Sequence, residues 1–469
     1  MVRGPLGGYQ AVVLAGGGAS DKGLFPLIGL AAKALMPVAN KPLLSYSLKL
    51  LSDAGLRHVF VVVNGEEAAA AVIAWLSFEH NAPGKMHCEV IKTPKDGGTA
   101  DALRAVSSRI TSKTLVCLSG DLITDLALNA LVAVHKMSDA TATVLLNKKK
   151  ISPASGCSAG KAPKDVDYIG CDASNERLLF YASSPETLRD LRIPLEVVRR
   201  YGGITVSSEI MDAHLYVFDK SVLDLIDKHP AWASVRQDVL PFLTQQQLLL
   251  TPTQPDLSNV ALPTSKSTTD IAGMSGTDGS SDLGALQYPG SNFSDWSHSG
   301  PVGPKQHDSA LRVHIVQPGI YCARIADIAS YGDVSRDLAD SKTALSLTGL
   351  KPSALHENVV PTTTVLGNKS TISAACLIGE HCSIGDKSSI KRSVLGNNVR
   401  LGTNVKIVNS VLFDNVFIMD GSVISNSIVC EGVICKERSQ LRDCQVSAGT
   451  VVASREYTGE VLGKPQAHA

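Results

Sequence analysis

Val12 to Pro42 reads VVLAGGGASDKGLFPLIGLAAKALMPVANKP. The apolar run that leads into it, Gln10 to Ala15, suits a buried first strand. Three glycines follow at once, Gly16, Gly17 and Gly18. Glycines directly after a first strand make a tight turn whose bare N–H groups can cradle an anion. The spacing departs from the dinucleotide pattern G-x-G-x-x-G, and no Gly-Lys-Ser/Thr follows, so neither common phosphate motif applies. On the glycines alone, a phosphate cradle and a plain tight turn stand equally open.

Lys33-Ala-Leu-Met-Pro-Val-Ala-Asn-Lys-Pro42, set after this strand and turn, resembles the signature of nucleotidyltransferases that join a sugar 1-phosphate to a nucleotide. Leu14, Ala15, Gly16, Gly17, Pro26 and Leu27 match its first half. Lys33, Leu35, Pro37, Val38, Asn40, Lys41 and Pro42 match its second. In that family the glycines and an arginine hold the triphosphate, and the first lysine balances charge as pyrophosphate leaves. The arginine is missing here. Counted forward from the glycines its place falls on Asp21; counted back from Pro26 it falls on Gly23, and only Lys22 brings a positive charge nearby. Sites for phosphoryl transfer act mainly by stabilising charge, so a carboxylate near that place works against the reaction. The resemblance implies a nucleotidyltransferase scaffold with a disarmed loop.

Two further marks sit where strands end. Gly97-Gly-Thr-Ala-Asp-Ala-Leu103 resembles the G-T-A-x-A-L turn that the family places against the nucleotide. A helix start capped by Thr99 is the structural alternative, and the two are compatible. Ser119-Gly-Asp121 resembles the G-D whose carboxylate binds magnesium. One carboxylate holds magnesium poorly without substrate phosphates and a second acid. The family's sugar-side E-K-P segment is not recognisable after residue 150, where Lys148-Lys-Lys150 and the small polar residues beyond it read as a solvated loop. By resemblance, Gly16, Gly17, Lys33, Gly98, Thr99 and Asp121 are remnants of a nucleotide site. No catalytic residue, metal or required cofactor is expected. Whether such remnants still take a nucleotide or sugar nucleotide as a regulatory ligand stays open at this point.

The chain has 469 residues, enough for two or three domains. Its 44 basic and 44 acidic side chains balance, which argues against a protein that coats nucleic acid or binds anionic membranes. With 44% hydrophobic but only 5% aromatic residues, the cores are expected to be aliphatic. No apolar run approaches membrane-spanning length. The opening ten residues have neither the basic start nor the apolar middle of a secretory leader. The ten cysteines are scattered without a C-x-x-C pair, as reduced thiols of a cytosolic protein would be.

Strand and helix patterns alternate from residue 10 to about 147. Strands are expected at Gln10–Ala15, His58–Val63, Cys88–Ile91, Thr114–Leu118 and Thr141–Leu146, and helices at Pro42–Asp53, Glu66–Leu76 and Thr99–Ile110. This order predicts a doubly wound α/β sheet with ligands at the carboxyl ends of its strands. Met211-Asp-Ala-His-Leu-Tyr-Val-Phe218 alternates as a strand. Ser234 to Phe242 starts a helix with a proline-marked break. Residues 9–250 form this Rossmann-like domain. Residues 251–308, dense in Ser, Thr, Gly, Pro and Asp, bury too little apolar surface to order and read as a disordered insertion. Residues 309–358 hold a return strand at Leu311–Val316 and a helix over Tyr331–Leu347 that connects to the next domain.

From 359 to 455 the chain repeats. Aliphatic residues recur at 378, 384, 390, then 395, 401, 407, then 412, 418, 424. Steps of six, six and five give a 17-residue period, the hexapeptide pattern of a left-handed parallel β-helix of about five coils. Cys376, Ser393, Ser410, Ser427 and Cys444 form a small inward column. Leu377, Val394, Val411 and Ile428 form a uniformly apolar outward column, whereas the columns on the other two faces are mixed. Such a stripe needs cover. The chain's own first domain or the 310–350 region could supply it, but a partner interface is the expectation taken here.

This pairing of domains resembles sugar-nucleotide pyrophosphorylases and, more closely, the gamma-subunit family of the guanine-nucleotide exchange factor for eukaryotic translation initiation factor 2. Ala34–Pro42, Met211–Phe218, Gln237–Pro241, Asn409–Val411 and Leu441–Val446 carry that resemblance. It implies a non-enzymatic subunit that pairs with and stimulates the catalytic epsilon subunit, inside a complex with alpha, beta and delta subunits that acts on initiation factor 2. No direct contact with nucleic acid or membrane is expected. The epsilon family carries an extra C-terminal helical domain, which this sequence does not show after the repeats. The rival readings are an active sugar-1-phosphate nucleotidyltransferase and a β-helix acyltransferase. The first lacks its arginine and second acid. The second needs a histidine base, for which only His381 and His356 are at hand.

Overall fold

The computed structural model describes residues 6, 8–16, 23–27, 32–79, 86–149, 167–183, 193–249, 310–340, 347–350, 358–373 and 375–463. The proposed insertion at 251–308 and most of the loop after Lys148 lie outside the described residues.

Seven strands make the central sheet: β1 (Gln10–Leu14), β2 (His58–Asn64), β3 (His87–Thr93), β4 (Thr114–Ser119), β5 (Ala142–Lys148), β6 (Ile210–Asp219) and β7 (Leu311–Ile315). Their order across the sheet is β7-β5-β6-β4-β1-β2-β3. All neighbours are parallel except β6, which runs antiparallel to both β4 and β5. β1 is central, with Val12 opposite Phe60 on one side and Cys117 on the other. Its alternating side chains feed two cores, Ala11 and Val13 one, Val12 and Leu14 the other. That is why the strand reads as a continuous apolar run.

The helices are α1 (Leu43–Asp53), α2 (Glu66–Glu79), α3 (Thr99–Ser107), α4 (Leu128–Met137), α5 (Leu195–Tyr201), α6 (Lys220–Lys228), α7 (Leu240–Leu249) and α8 (Ile328–Asp340). α1, α2 and α4 cover one face of the sheet, and α3, α6 and α7 the other. The expected break near Pro241 is a π turn, Val235–Val239, running into α7. Pro241 is the second residue of α7, directly after that π turn. No helix among the described residues is long and apolar enough to cross a membrane.

The C-terminal domain is three parallel sheets of six two- or three-residue strands each. They run from Val365–Leu366 to Val461–Leu462, so the stack is longer than the five coils expected to end at 455. The last coil hides from an aliphatic count because Tyr457, 5% exposed, takes the inward place. The inward serine column is fully satisfied. Ser393, Ser410 and Ser427 each donate to the carbonyl two residues back at 2.7–2.8 Å. Each then accepts the N–H of the next coil's equivalent residue at 3.1–3.2 Å. Asn398, Asn404, Asn409, Asn415 and Asn426 turn coil corners at φ of 51–59°, a region asparagine enters at low cost. Gly379 stacks so closely on the next coil that a Cβ would lie 2.4 Å from the Gly396 carbonyl oxygen.

The outward column corrects one expectation. Leu377, Val394, Val411 and Ile428 do face away from the coil interior, yet all four are buried inside this chain. Met36 and Val38 of the opening motif, with Tyr331, Val334 and Leu338 of α8, lie over them. Polar bonds lock the seam. Asn40 Nδ2 donates to the Leu395 carbonyl at 2.7 Å, and the Tyr331 hydroxyl to the Pro37 carbonyl at 2.7 Å. The column is thus self-covered rather than offered to a partner, because the motif hairpin and α8 supply matching apolar faces.

Val411→Asp places an unpaired carboxylate in that seam. It is expected to cost about 3 kcal/mol or more and to expose the junction between the two halves. Urea denaturation and limited proteolysis of the full chain check both.

Candidate functional site

The carboxyl ends of β1 and β4 bring three of the expected residues together. Gly16, Lys33 and Asp121 line one hollow with Ser119 and Gly120, about 10 Å³ in volume. Gly120 donates its N–H to the Leu14 carbonyl at 2.8 Å, so the Ser119–Asp121 turn is pinned to the first strand. Gly16 has no room for a side chain, since a Cβ would fall 2.2 Å from Asn64 Oδ1. Asn64, the last residue of β2, in turn donates to the Gly97 carbonyl at 2.9 Å, joining the end of β2 to the turn after β3. Gly17, and with it Asp21 and Lys22, lies outside the described residues.

Asp121 is 4% exposed and is held by two cations. Lys33 Nζ stands 3.0 Å from Oδ2. Arg324 grips both oxygens, Nε at 3.1 Å from Oδ1 and Nη2 at 3.2 Å from Oδ2. Burial pushes the Asp121 carboxyl up, but the Arg324 guanidinium and the Lys33 ammonium outweigh it and hold it well below the usual carboxylate range. Lys33 was legible from the motif. Arg324 was not. It sits on a three-residue strand, Cys322–Arg324, that pairs with Leu122–Thr124, and no local pattern marks it.

A second polar cluster lies on β6. Asp212, 1% exposed, accepts the Tyr216 hydroxyl at 2.6 Å, the Tyr181 hydroxyl at 3.2 Å and the His214 N–H at 2.7 Å. Burial raises its carboxyl above the ordinary value despite those donors. His214 adopts φ 55° where the pairing of β6 with β5 shifts register. Its Nε2 is buried with no hydrogen-bond partner among the described residues. Burial and the nearby Arg324 charge lower its pKa well below the imidazole value, so the ring is neutral. Asp167 pairs with Arg236 of the π turn beside Tyr181. Asp212 and His214 stood in a stretch read as a strand and as part of the family resemblance, not as a site. Two polar residues inside an otherwise apolar run were the signal available.

Gly98 and Thr99 serve a different contact. Gly98 itself is the N-cap of α3, and Asp101 Oδ2 accepts its N–H at 2.9 Å, which corrects the expectation that Thr99 caps. Thr99 Oγ1 accepts the Val235 N–H at 2.8 Å, and the Ala233 carbonyl accepts the Ala100 N–H at 2.9 Å. A Cβ on Gly98 would meet that same carbonyl at 2.0 Å. The glycine is therefore needed for close approach of the 233–235 backbone. Among the described residues no three His, Cys, Asp or Glu side chains are grouped to hold a metal ion.

Residues 10–169 match the family described as nucleotidyl transferase, and residues 356–457 the family described as the EIF2B subunit epsilon LbH domain. The translation initiation factor eIF2B subunit gamma of Schizosaccharomyces pombe is 33% identical over 249 residues, 51% of this chain and 52% of that protein. The gamma subunit of Dictyostelium discoideum is 25% identical over 408 residues, 83% of this chain and 88% of its own length. The Dictyostelium epsilon subunit is 24% identical over 242 residues, 51% of this chain and 34% of that protein.

Asp121→Asn leaves Lys33 and Arg324 buried against a neutral amide. A loss of about 3–5 kcal/mol in the urea-denaturation free energy is expected. The depressed Asp121 pKa means that its contribution is complete above the unfolded carboxylate value and fades only as pH falls through the lower folded one. His214 acts earlier. The unfolded imidazole binds a proton below about pH 6.5 and the buried one does not, so stability falls as pH drops through that value. His214→Asn, which tolerates the positive φ, is expected to flatten the fall in urea midpoint between pH 7 and pH 5.

Proposed function

From its relationship to the eIF2B gamma subunits, with their kinship to sugar-nucleotide transferases, we propose that this chain is a non-catalytic subunit of that exchange factor. It pairs with the epsilon subunit and raises its GDP/GTP exchange activity on translation initiation factor 2, in a cytosolic complex with alpha, beta and delta subunits. The observation that carries this reading is similarity to a gamma subunit through both halves of the chain, the nucleotidyltransferase-like sheet and the coil stack. The Asp121 clamp supports the non-catalytic part. A carboxylate whose two oxygens are taken by Arg324 and Lys33 has little left to offer a reaction. The self-covered coil column leaves partner contacts to other faces.

The test is a pull-down of the full chain from a eukaryotic cytosol, followed by GDP release from initiation factor 2. The expected result is recovery of the exchange-factor subunits and faster release with epsilon plus this chain than with epsilon alone. Unchanged release and no recovered subunit would overturn the reading. Turnover of nucleoside triphosphate and sugar phosphate by the purified chain would return it to the active nucleotidyltransferases.

A further inference from the structure

The nucleotidyltransferase resemblance implies a divalent cation at Asp121, and the residues present do not fit one. We infer that Arg324 stands in the cation's place. Its guanidinium, with the Lys33 ammonium, takes both oxygens of Asp121, so that the pocket excludes a metal ion and uses the carboxylate as an internal joint.

Three observations carry this. First, the coordination is complete without a metal: Arg324 lies 3.1 and 3.2 Å from the two oxygens and Lys33 3.0 Å from one of them. Magnesium and manganese seek several oxygen ligands, and two fixed positive charges at these distances repel them. Second, Asp212, the other carboxylate whose charge reaches Arg324, is spent. Asp212 Oδ2 accepts two tyrosine hydroxyls and Oδ1 a backbone N–H. Third, the joint has a mechanical use. Cys322–Arg324 pairs with Leu122–Thr124, and the Ile325 N–H donates to the Asp121 carbonyl at 3.1 Å. α8 begins three residues later and lies on the coil stack, where Arg336 donates to the Asn409 carbonyl and Tyr331 meets the Phe413 ring. The segment that links sheet to coils is thus fastened at the carboxylate a metal would otherwise hold. The inference does not depend on whether the chain assembles with other subunits.

The experiment restores the acid. In the full chain, Arg324→Asp sets a second carboxylate beside Asp121. Manganese chloride at millimolar concentration is expected to raise the melting temperature of this variant by about 5 °C. The wild type is expected not to respond, and Asp121→Asn added to Arg324→Asp should abolish the response. Free-manganese electron paramagnetic resonance reads the same binding directly. Should Arg324→Asp not fold, Arg324→Glu, which also sets a second carboxylate beside Asp121, carries the comparison. Saturable manganese binding by the wild type that Asp121→Asn removes would overturn the inference. So would a folded Arg324→Asp or Arg324→Glu variant that gains no manganese binding.

Discussion

A strand in a stacked coil has two sides, and each side must be either filled, wetted or covered. The inward side is filled by the chain's own aliphatic ladder, from Ile378 to Val452. The outward side of one sheet carries Leu377, Val394, Val411 and Ile428, which cannot be wetted without exposing a continuous apolar stripe. The rest of the molecule is arranged around covering it. The motif hairpin at Pro37–Pro42 and the α8 helix converge on that stripe, so the two halves share one core instead of meeting at a polar surface.

That arrangement gives the nucleotidyltransferase motif a second reading. Met36, Val38 and Asn40 belong to a signature whose resemblance implies nucleotide chemistry, yet here they hold coils in place. The same displacement of purpose is seen at Asp121. Its position at the end of β4 is that of a ligand site, but its oxygens bind the strand that leads into α8. Buried ion pairs bring little net stability in general, because desolvation offsets attraction. What this one brings is register: two cations and one acid can be satisfied together only when Lys33, Asp121 and Arg324 all sit in place.

Much of this could be read from the chain. The sheet strands were legible because parallel strands buried on both faces are continuous apolar runs, as at His58–Asn64. The coil stack was legible because a 17-residue period repeats the same inward and outward columns. Lys33, Gly16 and Asp121 could be placed in one site by motif and spacing. Arg324, Asp212 and His214 could not, since each lies far along the chain from that site and nothing local says which partner it meets.

By itself, then, the amino-acid sequence determined the two architectures, through periodicities that reflect which side chains leave water. It also determined which residues could meet at the ends of β1 and β4. What only the tertiary structure decided was pairing. An apolar outward column states that it must be covered, not by what, and a buried carboxylate states that it needs a counter-charge, not which one. Both answers depend on segments tens to hundreds of residues away, and only the folded chain brings Tyr331 to the column and Arg324 to Asp121.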